Sequence, residues 1–423
     1  MEYFHSVMLD KDKCHGCTNC ISRCPTEAIR VRGGKAKIIK ERCIDCGECI
    51  KVCQSHAKSA AADDFALLKN FKYNIAMPAP SFYSQFKHEI SINKILTAFI
   101  EIGFDDVFEV ARGAEYVSDA TRSLLNSGNI KKPVISSACP AVLRLIRERF
   151  PNLLGNVLNI ISPMEAAAIL ARHMAKEKTG LSDEEIGIFF ITPCPAKVTS
   201  IKAPLTLKKS NVTGAIAAKD AYAKILPIID KITDELPLSV SGYEGILWAK
   251  SGGECKASGV EDYISADGIH NVINVLEEIE YGKVNSVQFI ELSACVSGCS
   301  GGALNIINPY LASRRISRQA KKKTAVSKTN GISQNQLYWQ NEVKPNPSSP
   351  LADNLDEAMQ KLEQIEEIYM RLPNLDCGSC GSPSCKSLAE DIVRGFAQES
   401  DCIFHMRERL SQLSEKLSEL DNK

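Results

Sequence analysis

The chain has 423 residues, 44% hydrophobic and 24% charged, with Lys+Arg and Asp+Glu equal at 51. That is ordinary globular composition, and zero net charge excludes a global field directed at nucleic acid or an anionic membrane. The start MEYFHSVMLDKDKC lacks the basic-then-apolar pattern of a secretory leader, and no run of about 18 apolar residues is present to span a bilayer, so a soluble cytoplasmic protein is expected.

Seventeen cysteines direct the rest of the reading. In a reducing compartment dense cysteine points to metal rather than disulfides, and the spacings become ligand geometry. Five segments are expected. They are two cysteine runs in 1–62, alternating strands and helices in 63–312, a basic and Pro/Ser-rich linker or covering arm in 313–355, a third cysteine group in 356–405, and a helical tail in 406–423.

The first segment holds CHGCTNCISRCP and CIDCGECIKVC. Each has the C-x2-C-x2-C-x3-C spacing, in which three close thiolates wrap one cubane and the fourth reaches the other. Cys14, Cys17, Cys20 and Cys53 are therefore expected on one [4Fe–4S] cluster, and Cys43, Cys46, Cys49 and Cys24 on the second. The repeated run, the first copy followed by Pro25, argues against paired zinc knuckles. The segment resembles bacterial two-cluster ferredoxins, an α+β fold, and this implies only electron transfer.

In 63–312 the apolar runs FKYNIAMPA, DDVFEVA, KKPVISSA, IGIFFITPC and SVQFIELSAC alternate with helical stretches such as PAVLRLIRERF and SPMEAAAILARHMAKEK. That alternation predicts an α/β domain with a largely parallel sheet. Several cysteines fall where a strand ends, the usual ligand position of open α/β sheets. Four occur in SSACPAV (Cys139), TPCPAK (Cys194) and ELSACVSGCSGG (Cys295, Cys299). Singly, each reads as a small buried hydrophobe.

In this order, after a ferredoxin segment, the motifs resemble the catalytic domain of [FeFe] hydrogenases across residues 74–310. The resemblance implies the H-cluster fold and a cubane held by Cys139, Cys194, Cys295 and Cys299. Cys299 would bridge to a two-iron unit carrying CO, cyanide and a dithiolate. It implies Lys197 as a cyanide donor, and Ala79-Pro80-Ser81 as lining with Ser81 a second donor. Gly301 and Gly302 would let backbone pass close to the cluster. The chemistry implied is reversible cleavage of H2, with a ferredoxin-type redox partner and maturation factors that install the cofactor.

The departures lie in the family's proton route. Its cysteine position is Ala138, and its later members align with Asp119, Leu158, Arg122 and Asn126. Methionines near the two-iron unit become Thr192 and Ser293, which predicts a more polar pocket. Intact ligands with an altered route resemble the sensory [FeFe] hydrogenases, which turn over slowly and pass a signal to a partner protein. A hydrogenase-like iron–sulfur assembly factor, or an electron-transfer protein without the two-iron unit, is the alternative; Lys197 and the second ferredoxin motif argue against it. A replacement proton route is expected through Glu254 and Glu291, with Cys255 as first acceptor. The competing reading makes Glu254 an exposed acid paired with Lys250 or Lys256, and Cys255 an inert core thiol.

Beyond the linker, LDCGSCGSPSC supplies Cys377, Cys380 and Cys385, and Cys402 follows. The spacing resembles the single [4Fe–4S] domain of corrinoid iron–sulfur proteins and of membrane electron-transport subunits, with zinc as the alternative. A small, mainly helical domain and a third accessory cubane are expected. In the tail, Met406, Leu410, Leu413, Leu417 and Leu420 alternate 4- and 3-residue steps. They form either a short homodimer seam or the face of a helix packed on its own domain.

Overall fold

Strands whose residues are apolar almost without interruption must be covered on both faces, and two such strands organise the centre of the molecule. They are β5 (Tyr73–Pro78) and β8 (Ile186–Thr192), paired parallel from Tyr73–Ile186 to Pro78–Ile191. The computed structural model describes residues 4–128, 130–323, 333–346 and 350–421. In it β6 (Asp106–Val107) and β9 (Gly214–Ala217) complete a parallel sheet of order β6-β5-β8-β9. A second parallel sheet has the order β10 (Tyr263–Asp267), β11 (Phe289–Ser293), β7 (Val134–Ile135). The α/β domain is thus built on two parallel sheets rather than one.

The amino-terminal segment is a small α+β unit. There β1 (Val7–Leu9) pairs antiparallel with β4 (Lys58–Ala60), and β2 (Ile29–Arg32) with β3 (Lys35–Ile38). It is fastened to the central domain chiefly at the helix Pro195–Lys202, with Arg149 also donating to the Pro25 carbonyl at 2.9 Å. Asp45 accepts from the backbone of Ser6 and Val7 and from the Thr199 hydroxyl, and Ser6 donates to the Pro195 carbonyl at 2.7 Å.

The basic stretch expected to begin a linker or arm begins instead as a helix, Pro309–Lys321, and the boundary placed at 312/313 falls inside it. Ala312, Ile316 and Ala320 recur every fourth residue, which puts one narrow apolar stripe among the bases. All three are buried, and Arg315 caps the Ser84 and Phe86 carbonyls at 3.0 and 2.9 Å. Further on, Leu337 is buried and the Trp339 indole donates to the Ile160 carbonyl, so this part covers the domain. Residues 324–332 and 347–349 of the expected linker lie outside the described residues.

At the carboxyl end the helices Leu355–Arg371 and Cys385–Val393 enclose a small core of Ile365, Leu372, Leu388 and Ala389 with Cys385 and Cys402. The tail helix Ile403–Asp421 presents Met406, Leu410, Leu413, Leu417 and Leu420 to solvent. The reading in which that face packs on its own domain is therefore wrong: no surface of the described chain covers it. Among the described residues no helix is long and apolar enough to cross a membrane.

Candidate metal centre

Parallel strands deliver their carboxyl ends to one edge, and the four central cysteines collect there. Cys295 follows β11 and Cys139 follows its neighbour β7, while Cys194 follows β8 of the other sheet. Cys139 and Cys194 occupy the N-cap positions of the helices Pro140–Arg149 and Pro195–Lys202. The positive end of each helix dipole therefore faces a thiolate or an anionic cluster. Cys299 lies in the tight turn Gly298–Gly301. All four line one cavity of about 100 Å³.

Burial pushes the thiols of Cys194, Cys295 and Cys299 up, the last to about 12, and neighbouring thiolates add to the effect. Thiols gathered in this way are poor anions until a cation displaces their protons. Such a donor set suits a soft, iron–sulfur type of centre.

The rest of the wall is apolar with a few placed polar groups. Ala79, Pro80 and Ser81 follow β5, the neighbour of β8, and all three line the cavity. Ser81 is buried and its hydroxyl has no partner. An unpartnered buried donor is costly, and a polar ligand in the cavity would relieve it. Lys197 lines the same wall, its ammonium donating to the Ala138 carbonyl at 3.1 Å. These residues fit a cubane extended by a group carrying anionic ligands.

Two carboxylates close the cavity on the side of Cys299. Glu254, in the short helix Gly253–Ser258, is buried and accepts from the Ser136 hydroxyl at 2.7 and 2.8 Å. Burial, and then the charge of Glu291, raise its pKa to about 8. Glu291, also buried, accepts from the amides of Gly252 and Cys255 at 2.9 Å each, and burial raises it as well. Glu254 as an exposed acid paired with Lys250 or Lys256 is thereby excluded.

Other expectations need correction. Cys255 is buried but does not line the cavity; its thiol points to the Ile264 carbonyl at 3.6 Å, and burial pushes it well up. It is a core thiol off the cavity wall, and it reaches the site only through Glu291, which both its amide and its thiol contact. Thr192 also turns away, because its hydroxyl brackets Cys194, donating to the carbonyl at 3.0 Å and accepting from the amide at 3.1 Å. Of the two substitutions expected to make the pocket polar, only Ser293 lines it. At Gly302 a Cβ would meet the Pro193 carbonyl at 2.4 Å, and at Gly301 the Val296 carbonyl at 2.0 Å. These glycines bring chain against chain. Ala138 lines the cavity, Leu158 is buried, and Arg122 is held by Asp119, by Glu244 at 3.1 Å and by the Ala257 carbonyl at 2.6 Å.

Ser136 escaped the sequence reading. Its signal was available, since it stands two residues before Ala138 in SSACPAV, but its partner lies 118 residues away. Cys46 was assigned to the second ferredoxin run, yet it also lines the central cavity. That run therefore abuts the site, and Gly47 sits against Pro195 and Ala303. His5, Cys43 and Asp45 lie close enough together to suggest an ion, but Asp45 is occupied by the hydrogen bonds that fasten the two domains.

A family model described as iron only hydrogenase large subunit, C-terminal domain, matches residues 72–220 and 211–303, more than half of the chain. The chain belongs to that hydrogenase family. Its amino-terminal part matches a 4Fe-4S dicluster domain over residues 6–54, and its carboxyl part an Fe-S cluster family over 372–404. Iron hydrogenase 1 of Clostridium pasteurianum is 24% identical over 266 residues, 51% of this chain and 46% of that protein. The periplasmic [Fe] hydrogenase large subunit of Nitratidesulfovibrio vulgaris is 28% identical over 212 residues, 46% of this chain and 50% of that one. The chain thus spans about half the length of these relatives. A variant of [FeFe]-hydrogenase HydA1 from Chlamydomonas reinhardtii superposes with a TM-score of 0.50 at 14% identity, covering 65% of this hydrogenase-family chain and 95% of that one. That likeness concerns the fold.

Proposed function

We propose that this chain cleaves and forms H2 slowly at an H-cluster, exchanges electrons through three [4Fe–4S] clusters, and reports the redox outcome to a partner protein. The carrying observation is the single cavity shared by Cys139, Cys194, Cys295 and Cys299 with the unpartnered Ser81 hydroxyl and Lys197. When bound, the two-iron unit supplies Lewis-acid and base chemistry for heterolysis of H2. Cys139, Cys194, Cys295 and Cys299 would hold the cluster, and Ser81 and Lys197 would donate hydrogen bonds to anionic ligands on it. The apolar wall, including Met164, Phe190 and Trp248, keeps water out.

A proton must leave a buried site at every turnover, and each relay member must lie within hydrogen-bond reach of the next or one water away. Ala138 has no proton to give. Glu254 holds a proton near neutral pH and faces the cavity, Ser136 orients its carboxyl, and Glu291 is the next carboxylate. Protons therefore pass by Glu254 and Glu291, and Cys255, which does not line the cavity, is not the first acceptor. The altered route, with Arg122 locked in ion pairs, supports low turnover and a sensory role. The partners this reading requires are a ferredoxin-type protein, maturation factors and a receiver of the signal.

The test is infrared spectroscopy of anaerobically matured protein together with an iron count. CO and cyanide bands with iron for four cubanes and two further irons are expected. Absence of those bands in iron-replete protein would sink the H-cluster reading and favour an assembly or electron-transfer role.

A further inference from the structure

The third cysteine group sits directly on the edge of the ferredoxin hairpin. Val31 of β2 donates its amide to the Gly381 carbonyl at 2.8 Å, so the loop following Cys380 joins the edge of that strand. Gly381 has φ +80, and a Cβ there would lie 1.9 Å from the Val31 carbonyl. No other residue allows this approach. On the adjacent loop, Gly378 beside Cys377 rests against the side chain of Ile21, the neighbour of Cys20.

Charge holds the contact in one register. Asp391 accepts from Arg30 at 2.6 Å and from Arg32 at 2.9 Å, and the Asp391 and Arg30 side chains are only 6% and 7% exposed. Arg32 also donates to the Cys380 carbonyl and to the Ser382 hydroxyl, both at 2.8 Å. Charges withdrawn from water in this way tolerate no loose docking, because separating them strands an ion. At the far end of the ferredoxin segment, Cys46 lines the central cavity. The cysteine groups therefore follow one another in the order cavity, second run, first run, carboxyl-terminal group.

We propose that the carboxyl-terminal cluster is a serial member of the electron wire, reached from the first ferredoxin cluster across the Ile21–Gly378 contact and held there by the Asp391–Arg30–Arg32 clamp. The inference rests on the cluster assignments proposed above. Oxidation of one H2 releases two protons and two electrons. The electrons pass singly along the cubanes to an external one-electron acceptor, an iron–sulfur protein, and H2 formation runs the same steps in reverse. Tunnelling falls off exponentially with distance, so a docked cubane exchanges electrons where a tethered one would not. Arg32 has a second role here. Its charge lies beside Cys380, and a cation near a cubane stabilises the added electron and raises the potential.

The experiment is electron paramagnetic resonance of the reduced, iron-replete full chain. Neighbouring reduced cubanes split and broaden each other's lines, and the wild type should show such splitting. Cys380→Ser should remove the part due to the third cubane. Asp391→Asn should reduce it with iron content unchanged. Arg32→Gln should move the midpoint potential of that cubane negative in a redox titration. A wild-type spectrum that is the plain sum of isolated cubanes overturns the proposal, as does splitting that survives intact in Cys380→Ser. The latter comparison carries the test alone if Asp391→Asn fails to retain iron. Splitting without CO and cyanide bands would defeat the H-cluster reading and leave the wire standing. Bands without splitting would do the opposite.

Discussion

Ser136 donates its hydroxyl to the Glu254 carboxyl, 2.7 and 2.8 Å from its two oxygens. The pair joins the loop that presents Cys139 to the short helix behind Cys299, and Ala138 stands beside it on the cavity wall. A carboxyl buried here, with its pKa raised to about 8, holds a proton on the cavity wall shared with Ala138.

Glu254→Gln keeps the shape and removes the titrating proton. H2 turnover should fall at least about tenfold, equal to about 1.4 kcal/mol of barrier, while the CO and cyanide bands stay in place. Turnover equal to wild type, measured where chemistry limits the rate, would eliminate this relay. Ser136→Ala should give a smaller loss in the same direction.

Ala138→Cys alone should change turnover little. Leu158 is buried and carries no proton, and Arg122 remains tied to Asp119 and Glu244. A large gain in turnover from this single substitution would show that the old path is still open.

Stability should depend on pH through Glu254. Its pKa is raised on folding from 4.5 to about 8, so the folded state binds the proton more tightly than the unfolded one. The stabilisation is complete below about 4.5 and is lost as pH rises through about 8. Denaturant midpoints of metal-loaded protein should therefore fall between pH 6 and pH 9 more steeply in wild type than in Glu254→Gln. Parallel profiles would refute the shift.

Cys255→Ala should leave the infrared bands unchanged and cost far less turnover than Glu254→Gln, because the thiol touches Glu291 but does not reach the cavity. A turnover loss matching that of Glu254→Gln would return Cys255 to the proton route.

Cys380→Ser should cost one cubane and leave the CO and cyanide bands intact, since its loop contacts the ferredoxin hairpin and not the cavity. Loss of the bands would show that the central site depends on the third domain to assemble.

Much of this protein is determined within short stretches of chain. The C-x2-C-x2-C-x3-C runs, the Cys-Pro turns at Cys139 and Cys194, and the apolar runs of β5 and β8 carry their meaning in local spacing and periodicity, so residue type alone points to the iron–sulfur centre and the α/β domain. The buried stripe Ala312, Ile316, Ala320 obeys the same local rule but was hidden by the basic residues around it. What only the tertiary structure decides depends on partners distant in sequence. Glu254 and Cys255 are adjacent, yet one faces the cavity and the other the core, because a helical turn sends neighbouring side chains in different directions and packing selects between them. Ser136 meets Glu254 across 118 residues, and Arg30 meets Asp391 across 361. No spacing rule spans such distances. These pairs form because a buried charge or hydroxyl must find a partner in place of water, and which partner that is becomes visible only when the whole chain is folded.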